Sequence, residues 1–457
     1  MPNDISLPSA QLPQPQLPAD TSLPVLDVER RIVEQMPAIE RWFRLQWQEH
    51  VPPFYGSVDL RNAGFKLAPV DMNLYPGGFN NLSEEMLPCA VQAAQAAVER
   101  ACPDAKDLLL VPERHTRNVF YLTNVARLAR ILRATGLNVR IGTLSAEITA
   151  PTTISLPGND SLTIEPLIRK NNRVGVEGFD PCVVLLNNDL SAGIPAVLRN
   201  LDGQVLLPPL HAGWAVRRKS HHFAAYDEVA DDFARMAGID PWLINPYFAR
   251  CGSVDFHARE GEECLTTNVD LLLTRLRAKY KALAIDRPPF VIVKADAGTY
   301  GMGIMTVRDV ADVKDLNRKQ RNKMAVVKEG LEVHEVIIQE GVPTLETVNG
   351  GVAEPVVYMV DRHVVGGFYR VHAERGRDEN LNAPGMHFAP LPFSQPCNVP
   401  DCTAIASENY RGDSAANRFY TYGVVARLAL LAASVELERT ANLLPPQAAA
   451  VAAAVAT

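Results

Sequence analysis

The sequence of 457 residues has only seven cysteines, and no two of them form a Cys-x-x-Cys motif. Zinc sites usually have closely paired ligands, so this spacing argues against one. The odd number of cysteines and their wide separation indicate reduced thiols in a reducing compartment. Cys397 and Cys402, five residues apart in a proline-rich segment, are the pair that a disulfide or a metal ion could join.

The chain also has no excess of positive charge and no long apolar run. Its formal net charge is −7 at pH 7, whereas a nucleic-acid-binding protein usually presents a basic face. No apolar run approaches the roughly 18 residues that cross a bilayer. The N-terminus lacks the basic segment and apolar core of a secretory signal. We therefore expect a cytosolic protein that binds neither nucleic acid nor membrane, while a homo-oligomer stays open.

Glycine is concentrated in one informative segment, Phe290–Val307, which predicts a strand, a glycine-rich loop and a second strand. Lys294 lies where the first strand ends. Gly298, Gly301 and Gly303 let the backbone approach a ligand because no Cβ stands in the way. A loop with several N–H groups beside an ammonium is a good anion cradle, and a nucleotide triphosphate is the obvious anion. An ordinary glycine-rich hairpin turn is the alternative interpretation.

Two common nucleotide-binding motifs are absent from this segment. A P-loop needs Gly-x-x-x-x-Gly-Lys-Ser/Thr before a helix, and a dinucleotide-binding turn needs Gly-x-Gly-x-x-Gly at the start of a helix. The loop here has Gly-x-x-Gly-x-Gly, and apolar residues such as Ile304 and Val307 follow it. A strand–loop–strand flap over phosphates, the geometry of ATP-grasp ligases, is the remaining option.

The order of features around the loop favours the nucleotide interpretation. Lys219 lies near the start of a predicted helix, where its ammonium could reach an α-phosphate. An apolar strand ends at Gln339-Glu340-Gly341-Val342, a hinge whose backbone could hydrogen-bond an adenine edge. Two β-rich runs around Asp361 predict a hairpin whose second strand closes at Arg370. A polar loop, Arg375–Gly385, comes next.

The N-terminal half predicts a small doubly wound α/β domain. Apolar strands at 107–111 and 137–141 enclose a basic amphipathic helix at 118–134, so this βαβ unit should be parallel. A further buried strand is predicted over Cys182–Asn187.

Polar residues follow the predicted strands at their carboxyl ends, where ligands bind in such sheets. Arginine and lysine are the donors that hold a substrate α-carboxylate, and an aspartate can hold an α-ammonium. Each of these residues, taken singly, could also be a solvated loop residue or a cap. The candidate substrate-binding residues are Arg61, Lys66, Asp71, Asn73, Arg114 and Asn187.

The order of helix lysine, glycine flap, hinge, hairpin and arginine resembles the ATP-grasp half of bacterial glutathione synthetases. More closely, the chain from about residue 25 to 440 is similar to the proteobacterial glutamate–cysteine ligase family. The segments that carry this likeness are Val58–Asn81, Pro112–Asn118 and Lys294–Gly303. The resemblance implies a pre-ATP-grasp domain followed by an ATP-grasp domain. We therefore expect a Pro-rich tail (1–24), an α/β substrate-binding domain (25–205), an ATP-grasp domain (206–440) and an Ala-rich tail (441–457).

The resemblance also implies a reaction with ATP and Mg²⁺. The γ-carboxylate of glutamate would form an acyl phosphate and then be joined to the amine of cysteine, the first step of glutathione biosynthesis. Arg370 and Lys294 would be catalytic, since Arg370 would steady the transferring phosphoryl group. The implied nucleotide-contacting residues are Lys219, Lys294, Gly298, Tyr300, Gly301, Gly303, Gln339, Glu340 and Val342.

The metal ligands depart from the glutathione synthetase pattern, in which a late strand carries them. The corresponding part of this chain, 420–440, predicts an Ala/Leu-rich helix instead. We therefore expect the Mg²⁺ ligands earlier, at Glu354, Glu379, Asn380 and Asn382. Two other functions stay open: a ligase of the same fold with another amine acceptor, and a nucleotide-binding protein that has lost catalysis.

Overall fold

The computed structural model describes residues 24–114, 117–298, 303–325, 332–391 and 415–443. Tyr300 and Gly301 of the predicted nucleotide site lie outside these ranges, as do Cys397 and Cys402. Almost all of the predicted Pro-rich tail and most of the predicted Ala-rich tail lie outside them too. The five cysteines within the described ranges are free thiols.

The described chain alternates helices with short strands. The helices are α1 (Pro24–Glu34), α2 (Met36–Glu49), α3 (Leu87–Ala101), α4 (Val119–Ala134), α5 (Lys219–Ala237), α6 (Glu262–Ala282), α7 (Ala311–Lys314), α8 (Arg318–Ala325) and α9 (Ala415–Thr440). The strands are β1 (Tyr55–Asn62), β2 (Leu67–Asn73), β3 (Asp107–Pro112), β4 (Asn138–Thr143), β5 (Thr152–Ser155), β6 (Ser161–Pro166), β7 (Ile168–Lys170), β8 (Arg173–Gly175), β9 (Val183–Asn187), β10 (Val205–Leu207), β11 (Phe248–Cys251), β12 (Val291–Ala295), β13 (Ile304–Val307), β14 (Val336–Glu340), β15 (Thr347–Val348), β16 (Gly351–Val360), β17 (His363–His372) and β18 (His387–Pro390).

The first sheet has the order β18-β17-β16-β1-β2, with β15 beside β16, and its strands are antiparallel. β16 and β17 form the hairpin that the sequence predicts. The sheet takes β1 and β2 from the N-terminal part of the chain and the other strands from the C-terminal part. Strands from both sides of the predicted domain boundary at residue 205 therefore pair in one sheet.

The predicted Ala/Leu-rich helix is present as α9, which packs against β1, β2, β16 and β17. Its residues from Val424 to Ala433 are almost all fully buried, as expected for a helix that is apolar on every side. The stretch Asn417–Leu443 is long and apolar enough to cross a membrane, but 89% of its apolar window is buried inside the molecule. Core helices of water-soluble proteins have the same property.

The second sheet has the order β10-β9-β3-β4-β6-β5. Its neighbouring strands are parallel except for the β5–β6 pair. The predicted βαβ unit is confirmed as β3, α4 and β4. A 3₁₀ turn at Glu84–Met86 precedes α3, which begins at Leu87, next to Pro88. The α/β class is thus confirmed.

The third sheet, in the order β11-β14-β12-β13, is antiparallel and packs against α6. Its strands β12 and β13 pair with Lys294 opposite Ile304, so the predicted strand–loop–strand arrangement is confirmed. Its apolar core includes Val293, Ile338 and Leu273. The first and third sheets meet along a cleft that contains the candidate site.

Glu346 is a fully buried carboxylate beside α9, and its environment makes the fold sensitive to pH. It accepts hydrogen bonds from Tyr422 and Tyr369. Burial nevertheless raises the pKa of Glu346 from 4.5 to about 7, against the opposing effect of Arg418. Since the folded-state pKa is the higher one, this group stabilises the fold below about pH 4.5 and loses that contribution as the pH rises through about 7.

Replacing Glu346 with glutamine should remove this pH dependence. Because glutamine cannot ionise, the variant should be more stable than the wild type at pH 8 by up to about 3 kcal/mol, and close to it at pH 5. Thermal unfolding midpoints at the two pH values measure the effect. Glu49→Gln, at an exposed position of α2, is the control. Equal destabilisation by Glu346→Gln at both pH values would contradict the prediction.

Candidate functional site

Two adjoining cavities open on one face of the first sheet. The first, about 130 Å³, lies between this sheet and strands β12 and β14 of the third sheet. The second, about 280 Å³, lies between the same face and the carboxyl ends of β3 and β9. The two cavities share Asp59, Asp71, Arg370 and Asn382. A chemical group bound at these four residues would be accessible to ligands in both cavities.

The alternation of side chains along the strands explains why polar residues face these cavities. Successive residues of a strand point to opposite faces, and α9 covers the other face of this sheet. Asp59 and Arg61 of β1 therefore both face the cleft. Strand pairing adds further charged residues to this face. Asp71 of β2 lies opposite Asp59, and Arg370 of β17 lies opposite Glu354 of β16. Charges from four strands converge in this way.

Arg370 holds two carboxylates at the junction of the cavities. Its Nη1 lies 2.9 Å from Asp59 Oδ2 and 2.6 Å from Glu354 Oε1, and Arg61 Nε lies 2.8 Å from Glu354 Oε2. Burial raises the pKa of Asp59, and the nearby carboxylates of Glu354 and Asp71 add to the rise although Arg370 opposes it. Burial also disfavours the charged form of Glu354, but Arg61 and Arg370 outweigh it and lower its pKa.

Two lysines face the first cavity from different elements. Lys219 Nζ lies 2.6 Å from Asp71 Oδ1, and Lys294 Nζ donates to Val70 O at 2.7 Å and to Gln339 Oε1 at 2.9 Å. Burial lowers the pKa of Lys294 to about 8, and the charge of Lys219 adds to this effect while Asp71 opposes it. An anion in the cavity would favour the ammonium form, so the cluster suits a polyanionic ligand.

Buried contacts fix the start of α5 and hence the position of Lys219. Ser220 N and Oγ donate to the carboxylate of Asp296 at 2.7 and 2.6 Å, which ties the helix to the end of β12. Arg217 makes two bonds of 2.9 Å to Glu436 of α9. Asp296 was not among the predicted site residues, although its place two residues after Lys294 in the glycine-rich segment was a signal for it.

The hinge after β14 offers polar groups to the first cavity. Gln339 Nε2 is buried and has no hydrogen-bond partner within the described part of the chain. Val342 lines the cavity, and its carbonyl accepts a bond from Arg61 Nη1 at 3.3 Å. Glu340 Oε2 accepts bonds from Lys66 Nζ at 2.7 Å and from Trp242 Nε1 at 3.1 Å. The Glu340 carboxylate is therefore held largely by the protein itself.

Most predicted site residues reach the cavities, and a few do not. Those that line the first cavity are Arg61, Asp71, Lys219, Lys294, Gly298, Gln339, Glu340, Val342, Glu354, Arg370, Glu379, Asn380 and Asn382. Those that line the second are Asp71, Asn73, Asn187, Arg370 and Asn382. Gly303, Lys66 and Arg114 line neither cavity.

Lys66 does not face either cavity. Its side chain is fully buried, and its ammonium pairs with Glu340 and lies 4.2 Å from the centre of the Trp242 ring. The short connection between β1 and β2 folds this lysine under the hinge instead of into the cleft. Arg114 lies exposed beyond β3.

The second cavity has a polar end near β9. Asn187 Nδ2 donates to Pro76 O at 3.0 Å, and Asn187 Oδ1 accepts from Tyr121 at 3.1 Å, so this amide holds the wall together. Two buried donors of the lining, Tyr75 Oη and Asn81 Nδ2, have no hydrogen-bond partner within the described residues. The carboxylates of Glu113 and Asp189 lie in the same wall. Donors and carboxylates together suit the head group of an α-amino acid.

The predicted metal ligands are only partly brought together. All four line the first cavity, but the half-exposed carboxylate of Glu379 already accepts bonds from Arg375 Nη1 at 2.9 Å and Gly376 N at 2.6 Å. Among the described residues, no three His, Cys, Asp or Glu side chains are already arranged around a metal position.

A second set of carboxylates lies at the junction of the cavities. Asp59, Asp71 and Glu354 lie on three neighbouring strands, and the pKa of Asp59 is raised partly by its two acidic neighbours. A cation would relieve this repulsion, and oxygen ligands are those that Mg²⁺ prefers. Asp59 was not predicted, although it alternates with Arg61 along β1.

Comparisons with known proteins agree with one another on the family. Residues 29–437 match the family model of glutamate–cysteine ligase. The crystal structure of a protein from Methylobacillus flagellatus KT, provisionally named gamma-glutamylcysteine synthetase, is 61% identical, covers 94% of this chain and 100% of its own, and has a TM-score of 0.86. No curated protein matches the chain significantly.

A second solved structure is far more distant. It is a glutathione synthetase-like effector from Globodera pallida in its apo form, with 11% identity over 83% of this chain and 84% of its own. Its TM-score of 0.36 is too low to support an argument about the fold.

Proposed function

The chain belongs to the glutamate–cysteine ligase family, and from this premise we propose that it forms γ-glutamylcysteine from glutamate and cysteine with ATP through γ-glutamyl phosphate. The observation that carries the proposal is the junction of the two cavities. One cavity presents buried ammonium groups, the other presents an amino-acid-like set of partners, and both include Arg370. Phosphoryl transfer from a nucleotide to an amino acid needs this arrangement.

We place ATP in the first cavity. Lys219 and Lys294, which both line this cavity, would neutralise its phosphates. The orphaned Gln339 Nε2 and the hinge backbone at Val342 would contact the adenine. Gly298, with a φ of +96°, borders the cavity and would let the flap approach the γ-phosphate. The cavity between two antiparallel sheets supports an ATP-grasp arrangement, with β1 and β2 belonging to it.

Glutamate would occupy the second cavity with its γ-carboxylate at the junction. An oxygen of that carboxylate attacks the γ-phosphorus, the bond to the bridging oxygen of ADP breaks, and ADP leaves. The amine of cysteine then attacks the acyl carbon, loses a proton and displaces phosphate. Arg370 can donate hydrogen bonds to the oxygens that gain charge in both steps. Exclusion of water from the cleft during the reaction would protect the acyl phosphate from hydrolysis.

Mg²⁺ would be held by Asp59, Asp71 and Glu354, and it would supply neutralisation of the phosphate charge. Glu354 belongs to the set predicted from the sequence. For this the carboxylates would exchange part of their contacts with Arg370, Arg61 and Lys219. We retain a cytosolic location as a proposal, and a boundary near residue 205 for the parts of the chain other than β1 and β2.

A coupled assay of ADP release tests the function. We expect release that depends on both glutamate and cysteine, with γ-glutamylcysteine identified by mass spectrometry. Glutamate labelled with ¹⁸O in its γ-carboxylate should transfer one ¹⁸O atom to phosphate, since that oxygen bridges to phosphorus in the acyl phosphate. Turnover with a different amine would favour another acceptor. No turnover with any amino acid, despite ATP binding, would indicate a nucleotide-binding protein without catalysis.

A further inference from the structure

The second cavity also has an aromatic wall. Phe120 of α4 and Phe388 of β18 stack with ring centroids 5.8 Å apart and an interplanar angle of 21°. Phe368 of β17 meets Phe388 edge to face at 4.9 Å. All three rings line the cavity, together with Met386. Elements far apart in the chain thus build one apolar wall.

This wall lies beside the reacting centre. Phe388 is paired directly with Arg370 across the β17–β18 ladder, and such opposite residues have Cβ atoms about 5 Å apart. An amine that attacks an acyl carbon next to Arg370 would therefore carry its own side chain to within reach of Phe388 and Phe120. The head group of glutamate would lie near Asn187, which leaves the aromatic wall for the acceptor amino acid.

The exposure of Phe120 is otherwise unexplained. Its side chain is 49% exposed at the start of α4, where a polar residue would serve the helix equally well. The ring does not close the core of the molecule, yet it stacks on Phe388 at the rim of the cavity. The hydroxyl of Tyr358 in the same wall donates its proton to the carbonyl of Gly77. That hydroxyl therefore has no proton to offer to a hydroxyl group on the ligand.

We infer that Phe120, Phe368 and Phe388 form the subsite for the side chain of the acceptor amino acid, and that they select a thiol over a hydroxyl. The inference rests on the proposed ligase reaction. A thiol is weakly hydrated and makes favourable contacts with the edges of aromatic rings. A hydroxyl group packed against the rings loses hydrogen bonds to water and gains none from the rings. The wall would therefore discriminate cysteine from serine, which has the same shape.

Steady-state rates with cysteine and with serine test the subsite in the full-length enzyme. We expect the wild type to prefer cysteine by about 10- to 100-fold in kcat/KM. Phe120→Ala should lower kcat/KM for cysteine about 5- to 10-fold and change that for serine little, because only the thiol gains from the ring. The KM values for glutamate and ATP should stay unchanged. Phe120 is half exposed, so its removal should leave the fold intact.

Val119→Ala is the matched control, since Val119 precedes Phe120, is 46% exposed and lines neither cavity. It should leave the preference for cysteine unchanged. Phe388→Ser, which adds a hydroxyl partner, should shift the preference further toward serine. Equal losses with cysteine and serine in Phe120→Ala would overturn the subsite, as would a wild type that uses both acceptors equally well. Absence of any wild-type turnover with cysteine would instead contradict the proposed function.

Discussion

Arg370→Ala is expected to lower kcat for ADP release with glutamate and cysteine by about 10²–10³-fold, while the KM for ATP changes little. The guanidinium lies at the junction of both cavities, 2.9 Å from Asp59 and 2.6 Å from Glu354. Its charge-stabilising contacts to the reacting oxygens would be made mainly in the transition state, so the loss should fall on kcat. Initial rates at varied ATP and glutamate separate kcat from KM.

Two further variants sharpen this experiment. Arg370→Lys keeps the charge but loses the planar fork that contacts two carboxylates, so it should recover only part of the activity. Arg362→Ala, at the exposed turn of the same hairpin, should behave as the wild type. The Arg370→Ala protein is also expected to unfold at a lower temperature, because buried carboxylates lose their partner. A kcat within threefold of the wild type would remove Arg370 from the proposed chemistry.

Lys294→Ala is expected to weaken ATP binding about 10- to 100-fold, the usual effect of losing a charge-assisted hydrogen bond to phosphate. Lys294 lies in the first cavity with Lys219 and Asp71, and its pKa is lowered to about 8. Titration calorimetry with a non-hydrolysable ATP analogue, without glutamate, measures binding alone. Lys281→Ala on the exposed side of α6 serves as the control. Unchanged affinity in Lys294→Ala would refute our placement of the phosphates.

The pH dependence gives this experiment a second signature. In the free enzyme Lys294 loses its proton as the pH rises through about 8, whereas bound phosphates raise its pKa. ATP binding by the wild type should therefore weaken between about pH 8 and 10 and take up a proton in that range. The variant without the ammonium should lack this part of the pH dependence.

Local patterns in the sequence predicted much of the architecture. The strand–loop–strand around Lys294, the β16–β17 hairpin and the βαβ unit all have apolar runs bounded by turn residues, and the structure contains each of them. Such runs are short-range signals, since alternation and glycine spacing depend only on neighbours in the chain. The predicted helix beginning at Lys219 and the helix in 420–440 are confirmed for the same reason.

Long-range pairing could not be predicted from these patterns. Arg61 bonds to Glu354, 293 residues later, because β1 and β16 are neighbours in one sheet. Lys66, predicted as a substrate ligand, lines neither cavity, and nothing in its local sequence indicates that it would be buried in a pair with Glu340. Asp59 was missed although it lies within the segment that carried the family resemblance, since only pairing with β2 and β16 reveals its acidic neighbours.

Composition, spacing and resemblance by themselves determined the family, the α/β class and most of the side chains that face the cleft. Tertiary structure decided which charges meet, which lysine is withdrawn from the solvent and where an aromatic wall stands beside Arg370. The physical reason is that a strand pattern specifies which face a side chain takes, whereas its partners depend on contacts between segments far apart in the chain. Those contacts form only when the sheets assemble.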